Sequence, residues 1–367
     1  MDDILLAGYY GEKNIGDDAL LAASAWGCQQ ILKAKKIHVT ATELPSITKH
    51  IRNVRPVYVA EERIKSDNLL RLYHRALTSK HIIFGGGSVF HSTEKLTRDS
   101  DLVDMCRGES VALGVSFGPF RDSGAELASK KLIERLAYIG CRDKQSYELV
   151  KDLVPYANVE LTFDLAPLLL SMGHFDRTSS TRKGIGLALC HYERYIGGNY
   201  EIERKRVEKV IQAIQQLSDE IEEIVLFDFN NHPIFGDVEL NKEVLNRLGT
   251  TIPISYIRYK DDPFKVLVEI SRVKGLIGMR LHSAVFGYLT ETPTIIFSYH
   301  PKCLGWAEQI GSDPSFTVDS TNFETDELIH AIIRLLNNEY SYPTLSLEKA
   351  KERSLKNLEG AKCVLYP

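Results

Sequence analysis

The stretch Gly275-Leu276-Ile277-Gly278-Met279-Arg280-Leu281-His282-Ser283-Ala284, with Thr294-Ile295-Ile296-Phe297-Ser298-Tyr299-His300-Pro301-Lys302 after it, decides the fold. A short apolar run, a turn carrying Arg280 and His282, a helical segment and a second apolar run read as strand, helix, strand. The same alternation fills the chain. Before residue 170 it gives strands at Ile4–Ala7, Ile37–Thr40, Arg55–Val59, His81–Phe84, Ser110–Val115 and Ala137–Cys141, with helices between them. After residue 183 it gives strands at Gly184–Cys190, Glu223–Phe229, Ile254–Tyr256, Gly275–Met279 and Thr294–Phe297. The helices of this half cover Glu203–Leu217, Asp237–Leu248, a segment opened by Asp262-Pro263, and Asp326–Leu336. Strands alternating with helices imply parallel sheets covered on both faces. The expected architecture is α/β, two Rossmann-like domains facing across a cleft, with ligands beyond the carboxyl ends of the strands.

The 367 residues suit two or three domains at roughly 150 residues each. The polar stretch Arg177–Lys183, inside a break from Ser171 to Lys183, reads as the linker. The expected domains are residues 1–176, residues 183–345, and a C-terminal helix and tail over 346–367. A 44% hydrophobic content excludes disorder as the main state, and 45 basic against 49 acidic residues give a net charge of −4. That balance argues against nucleic-acid binding, which favours a basic excess. No apolar run reaches the roughly 20 residues that span a bilayer. Asp2 and Asp3 stand where a signal peptide carries positive charge. The six cysteines lack zinc spacing and read as free thiols, several of them buried. A cytoplasmic protein is expected, and association with the inner face of a membrane is compatible with this reading.

Arg280 and His282 at one strand-to-helix junction, and Lys302 at the end of the following strand, converge if the two strands are neighbours. Such a rim, backed by a helix N-terminus, suits a small, highly charged anion. In Gly8-Tyr9-Tyr10-Gly11-Glu12-Lys13-Asn14-Ile15-Gly16-Asp17-Asp18 the glycine spacing differs from that of a dinucleotide site, and two acids disfavour a pyrophosphate. Asp17 or Asp18 either caps a helix or binds a sugar acceptor through carboxylate hydrogen bonds. Gly85-Gly86-Gly87 after a buried strand either lets a ligand approach the main chain or makes a tight turn. Arg142 at a strand end either meets a carboxylate or phosphate or forms a structural ion pair. Its neighbour Asp143 caps the next helix or orients it.

Together these motifs, with Ser146, Thr162-Phe163-Asp164 and the pair Tyr299 and Lys302, resemble the polysaccharide pyruvyl transferases, whose architecture is similar to GT-B glycosyltransferases. The resemblance covers most of the chain, leaving Glu43–Arg63 unmatched. It implies transfer of a pyruvyl group from phosphoenolpyruvate to two hydroxyls of a sugar, in an exopolysaccharide, capsule or cell-wall polymer or its lipid-linked precursor, with release of phosphate. It further implies that 183–345 is the phosphoenolpyruvate side, where Arg280, His282 and Lys302 engage that donor, and 1–176 the acceptor side, from which Arg142 helps. Asn14, Gly85, Gly86, Gly87, Leu281, Ser283 and Tyr299 complete the expected binding set, and His282, Asp17 and Asp18 are the catalytic candidates. The chemistry requires no metal or other cofactor. Two other classes remain open at this point: a nucleotide-sugar glycosyltransferase on the same architecture, and a non-catalytic carbohydrate-binding descendant.

Overall fold

A computed structural model describes residues 3–61, 64, 66–173, 182–249 and 252–367. It divides into two compact units, Met1–Glu12 with Asp17–Gly173 and Leu347–Pro367, and Lys13–Gly16 with His174–Ser346. The first holds a sheet of β1 (Asp3–Ala7), β2 (Lys36–Val39), β3 (Val54–Pro56), β4 (His81–Phe90), β5 (Ser110–Phe117), β6 (Tyr138–Cys141) and β7 (Val159–Leu161). Its order is β3-β2-β1-β4-β5-β6-β7, every neighbouring pair parallel. The second holds β8 (Ile185–Ala188), β9 (Ile224–Phe227), β10 (Ile254–Ile257), β11 (Gly275–Gly278), β12 (Thr294–Ser298) and β13 (Thr317–Asp319). They are again parallel, in the order β10-β9-β8-β11-β12-β13. Counted within its unit, each sheet contains the 3-2-1-4-5-6 order of the Rossmann fold, with its switch point between the first and fourth strands. That places the switch points at β1/β4 and β8/β11.

Strand residues alternate between faces, so a run apolar at every position needs cover on both sides. In the first unit Leu5, Ile82, Phe84, Ala112 and Ile139 enter one core, and Ile4, Leu6, Ile83, Val111 and Leu113 enter another. In the second, Ile185, Leu187, Ile224, Leu226, Ile277 and Ile295 share a core with Val210, Ile214 and Ile332 from helices.

Several expected boundaries move. The linker expected at 177–183 lies outside the described residues as far as position 181. The C-terminal helix Leu347–Leu365, expected as a separate tail, is part of the first unit: Leu358, Ala361 and Leu365 join the core of Ile4 and Leu6. Residues 13–16, expected in the first domain, group with the second, because Ile15 N–H donates to Phe229 O at 2.9 Å and Asn231 N–H to Lys13 O at 2.9 Å. β4 does not stop at Phe84 but runs through the glycines to Phe90, with a register shift between Gly87 and Phe90. The three-residue strands β7 and β13 are new. Asp262 caps the helix Pro263–Arg272 as expected, accepting from Phe264 N–H at 3.1 Å. All six cysteines are free, with Cys28, Cys141, Cys190 and Cys303 buried. No helix among the described residues is long and apolar enough to cross a membrane.

One side chain fastens the C-terminal helix. The buried Asn357 Oδ1 accepts from Gly114 N–H at 2.7 Å and Thr162 Oγ1 at 2.8 Å, and its Nδ2 donates to Phe163 O at 3.1 Å. Asn357→Ala strands the buried Gly114 N–H, whereas Thr162 Oγ1 can still donate to Cys141 O at 3.1 Å. It should lower unfolding stability by about 1–3 kcal/mol, the cost of unsatisfied buried polar groups. A urea midpoint equal to that of the parent would refute this account of the helix.

Candidate functional site

In the second unit, β11 ends beside β8, where Met279 and Arg280 N–H groups both donate to Ala188 O, at 3.0 and 3.3 Å. Arg280 directly precedes the helix Leu281–Leu289. Its Nε and Nη2 donate to Asp237 Oδ1 at 3.1 and 2.5 Å, and Nη2 also to Phe235 O at 3.0 Å. Nη1 donates to no described residue. Asp237 is fully buried, and its Oδ2 accepts from Phe229 and Asn230 N–H at 3.0 and 2.9 Å. Burial works against the Arg280 charge, but the Asp237 carboxylate outweighs it and holds the guanidinium above its usual pKa. Burial pushes Asp237 up from the carboxylate range against the pull of Arg280, and four donors on its oxygens keep the pair ionic.

β12 pairs with β11 in the register Gly278↔Ile296, so the neighbour condition set by the sequence holds. Beyond β12, His300 caps the helix Pro301–Ile310 by accepting from Lys302 N–H at 3.2 Å. The Lys302 ammonium lies 5.4 Å from the centre of the Tyr299 ring, which packs at 4.5 Å on Tyr192. The buried Cys190 feels the charges of both Arg280 and Lys302. Burial pushes that thiol up to about 12, against the pull of both cations, so it stays neutral. Leu281 and Ser283 are buried, and Ser283 Oγ donates to Arg280 O at 2.5 Å, so both side chains shape the turn. His282 stands on the same first turn, its ring against the Gly16 Cα. A methyl group there would lie 2.2 Å from His282 Nδ1, which explains glycine at that position. Asn14, expected among the binding residues, caps this chain start: its Oδ1 accepts from Gly16 N–H at 3.0 Å and its backbone bridges Asn230. Asp17 and Asp18 are therefore not the cap. They sit in the first helical turn, where the helix dipole favours anions.

In the first unit, the glycines serve packing. A Cβ on Gly85 would lie 2.6 Å from both Ser24 Oγ and the Tyr10 hydroxyl, and Gly86, at φ +64°, would meet Leu20 at 3.0 Å. A Cβ on Gly87 would lie 4.0 Å from Asp17 Oδ1, so only this glycine borders a candidate acid. Asp18 is 2% exposed, whereas Asp17 is half-buried. Arg142 is buried. Its Nε donates to Ser116 Oγ at 2.7 Å, Nη1 to Asp164 Oδ2 at 3.0 Å and Nη2 to Ser88 Oγ at 2.9 Å. Asp143 caps the next helix, accepting from Ser146 N–H at 2.8 Å, and also accepts at 2.6 Å from Ser116 Oγ, itself a partner of Arg142. Three Arg142 N–H groups are thus committed inside the unit, which is the ion-pair alternative.

The sequence reading did not single out Asp237, Tyr192 or His91. Asp237 looks like an ordinary helix start, and its two backbone donors come from residues seven and eight positions earlier. His91 follows β4, and burial, with Arg121 and Lys95, pushes its imidazole from 6.5 down to about 4. A depressed histidine stabilises the fold fully above its unfolded value and loses that contribution as pH falls from about 6.5 towards 4. His91→Asn should flatten the acid side of the thermal-stability profile in that window, and an unchanged profile would contradict the assignment.

The polysaccharide pyruvyl transferase family model matches residues 14–301. No curated protein sequence matches the chain. Among solved structures, Staphylococcus aureus MnaA bound to UDP superposes with a TM-score of 0.67 at 13% identity, covering 99% of this chain and 96% of its own. A putative UDP-N-acetylglucosamine 2-epimerase of Listeria monocytogenes gives 0.66 at 11% identity, covering 98% and 95%. Anabaena Alr3699/HepE in complex with UDP-glucose gives 0.58 at 10% identity, covering 99% and 97%. At these identities the likeness is one of fold, and the fold is of GT-B type.

Proposed function

The chain belongs to the polysaccharide pyruvyl transferase family, and on that premise we propose that it transfers the pyruvyl group of phosphoenolpyruvate onto two hydroxyls of a sugar, as a ketal. The observation that supports this most is the fixed guanidinium of Arg280 after β11, with Lys302 following the paired strand β12. Phosphoenolpyruvate carries a carboxylate and a phosphate, and two cations with a helix N-terminus behind them match that charge. Arg280 and Lys302 hold the two anionic groups, and the N-terminus of the helix Leu281–Leu289 adds to the field.

In the reaction, C3 of the enol takes a proton and C2 becomes an oxocarbenium-like centre. One sugar hydroxyl adds there, and a second displaces phosphate. Of the two hydroxyl protons, one balances the proton gained by C3 and the other leaves with phosphate. We assign proton transfer at C3 to His282 and acceptance of a hydroxyl proton to Asp17, the less buried of the two acids. Arg142 acts by holding the ends of β4, β5 and β6 in register. An acceptor still joined to a lipid carrier would bring the protein to the cytoplasmic membrane face.

Incubation with phosphoenolpyruvate and candidate glycans should release inorganic phosphate and add one pyruvyl ketal to the glycan, read by mass spectrometry. Release of a nucleoside diphosphate from nucleotide sugars instead would make the protein a glycosyltransferase. His282→Ala should lose most turnover while still binding phosphoenolpyruvate, about 10²–10⁴-fold for loss of an acid–base group. Near-parental turnover in that variant would defeat the assignment.

A further inference from the structure

We propose that a cavity in the second unit, at the carboxyl ends of β8 and β9, is a saccharide subsite that takes neutral pyranosyl units of the acceptor. The proposal rests on the transferase reading for the word acceptor, and it adds where on this chain sugar rings are held. The cavity has a volume of about 600 Å³, within the range of small-ligand sites. Its floor is polar: Glu203 Oε1 lies 2.5 Å from His191 Nδ1 and accepts from Arg194 Nε at 2.7 Å. Its rim is apolar and open to solvent, with Tyr200 60%, Ile234 73% and Phe235 39% exposed. Apolar side chains grouped over a polar floor match the two surfaces of a pyranose, a C–H face and a belt of hydroxyls.

Charge selects against an anion. Glu201, Glu203 and Glu243 line the cavity against Arg194 and Arg204. Arg204 grips Glu201 through Nη2 and Nε at 2.6 and 2.9 Å, as Arg194 grips Glu203. A phosphate entering here would meet matched cations and one surplus carboxylate, whereas hydroxyl groups can donate to these carboxylates without a charge penalty. The wall is shared with the Arg280 cradle. Tyr195 OH donates to Gly236 O at 3.0 Å, while the preceding carbonyl, Phe235 O, receives Arg280 Nη2 at 3.0 Å. The saccharide subsite and the Arg280 cradle thus meet at consecutive carbonyls of one loop.

Saturation-transfer NMR on the full chain tests this, with methyl glucoside, methyl galactoside, methyl mannoside and their N-acetylamino counterparts as probes and UDP as the anionic competitor. At least one glycoside should give transfer signals that UDP does not displace. The double substitution Tyr200→Ala with Glu243→Gln, on helix positions outside the loop that holds Arg280, should weaken glycoside binding at least tenfold. Phosphoenolpyruvate binding should be unchanged in this variant. Silence from every glycoside, signals indifferent to the double substitution, or displacement by UDP would each overturn the proposal. Because the readout is binding, it is separable from the reaction: glycosides that bind here without phosphoenolpyruvate turnover would leave the subsite standing and remove the pyruvyl transfer.

Discussion

The second unit is organised around a guanidinium whose direction is fixed before any ligand arrives. Arg280 is gripped by a fully buried carboxylate and a backbone carbonyl, and that carboxylate is itself held by two backbone amides. Such pairs add little net stability, since desolvation offsets the Coulomb gain, while removing one partner costs about 3–5 kcal/mol. The pair makes better sense as orientation: it fixes the fork at the β8/β11 switch point, where Rossmann sheets bind ligands. The loop that supplies the clamp, residues 229–237, also receives the chain start at residues 13–16. The glycine at 16 then lets the His282 ring rest against that segment.

The first unit places an arginine at a comparable strand end and uses it differently. Arg142 commits Nε, Nη1 and Nη2 to Ser116, Asp164 and Ser88, drawing together β4, β5, β6 and the segment after β7. Arg280 commits Nε and Nη2 and leaves Nη1 without a hydrogen bond among the described residues. The difference separates a residue that builds a sheet edge from one that can meet an anion.

The sequence carried the fold well where physics is local. Apolar runs of β1, β4, β5, β8, β11 and β12 are buried on both faces and cannot be mistaken for amphipathic elements, and Asp262-Pro263 is a complete helix start. It carried less where partners are distant. β7 and β13 are three-residue edge strands with no pattern of their own, and β4 continues past three glycines by pairing with β5 as far as Phe90. Membership of the C-terminal helix in the first unit depends on Asn357 reaching Gly114 and Phe163, separations of about two hundred residues that no periodicity records. The same holds at the candidate site: the strand-end positions of Arg280, His282 and Lys302 are readable in the sequence, whereas Asp237 has meaning only once folding brings it to Arg280.

Calorimetric titration of phosphoenolpyruvate into the parent chain and Arg280→Lys puts the clamped guanidinium to the most direct test. Lysine keeps the charge but cannot satisfy Asp237 and Phe235 while presenting a further donor in a fixed direction. The account predicts at least a tenfold loss of affinity, about 1.4 kcal/mol. Equal affinity in the two proteins would mean that the fixed fork is not what recognises the anion.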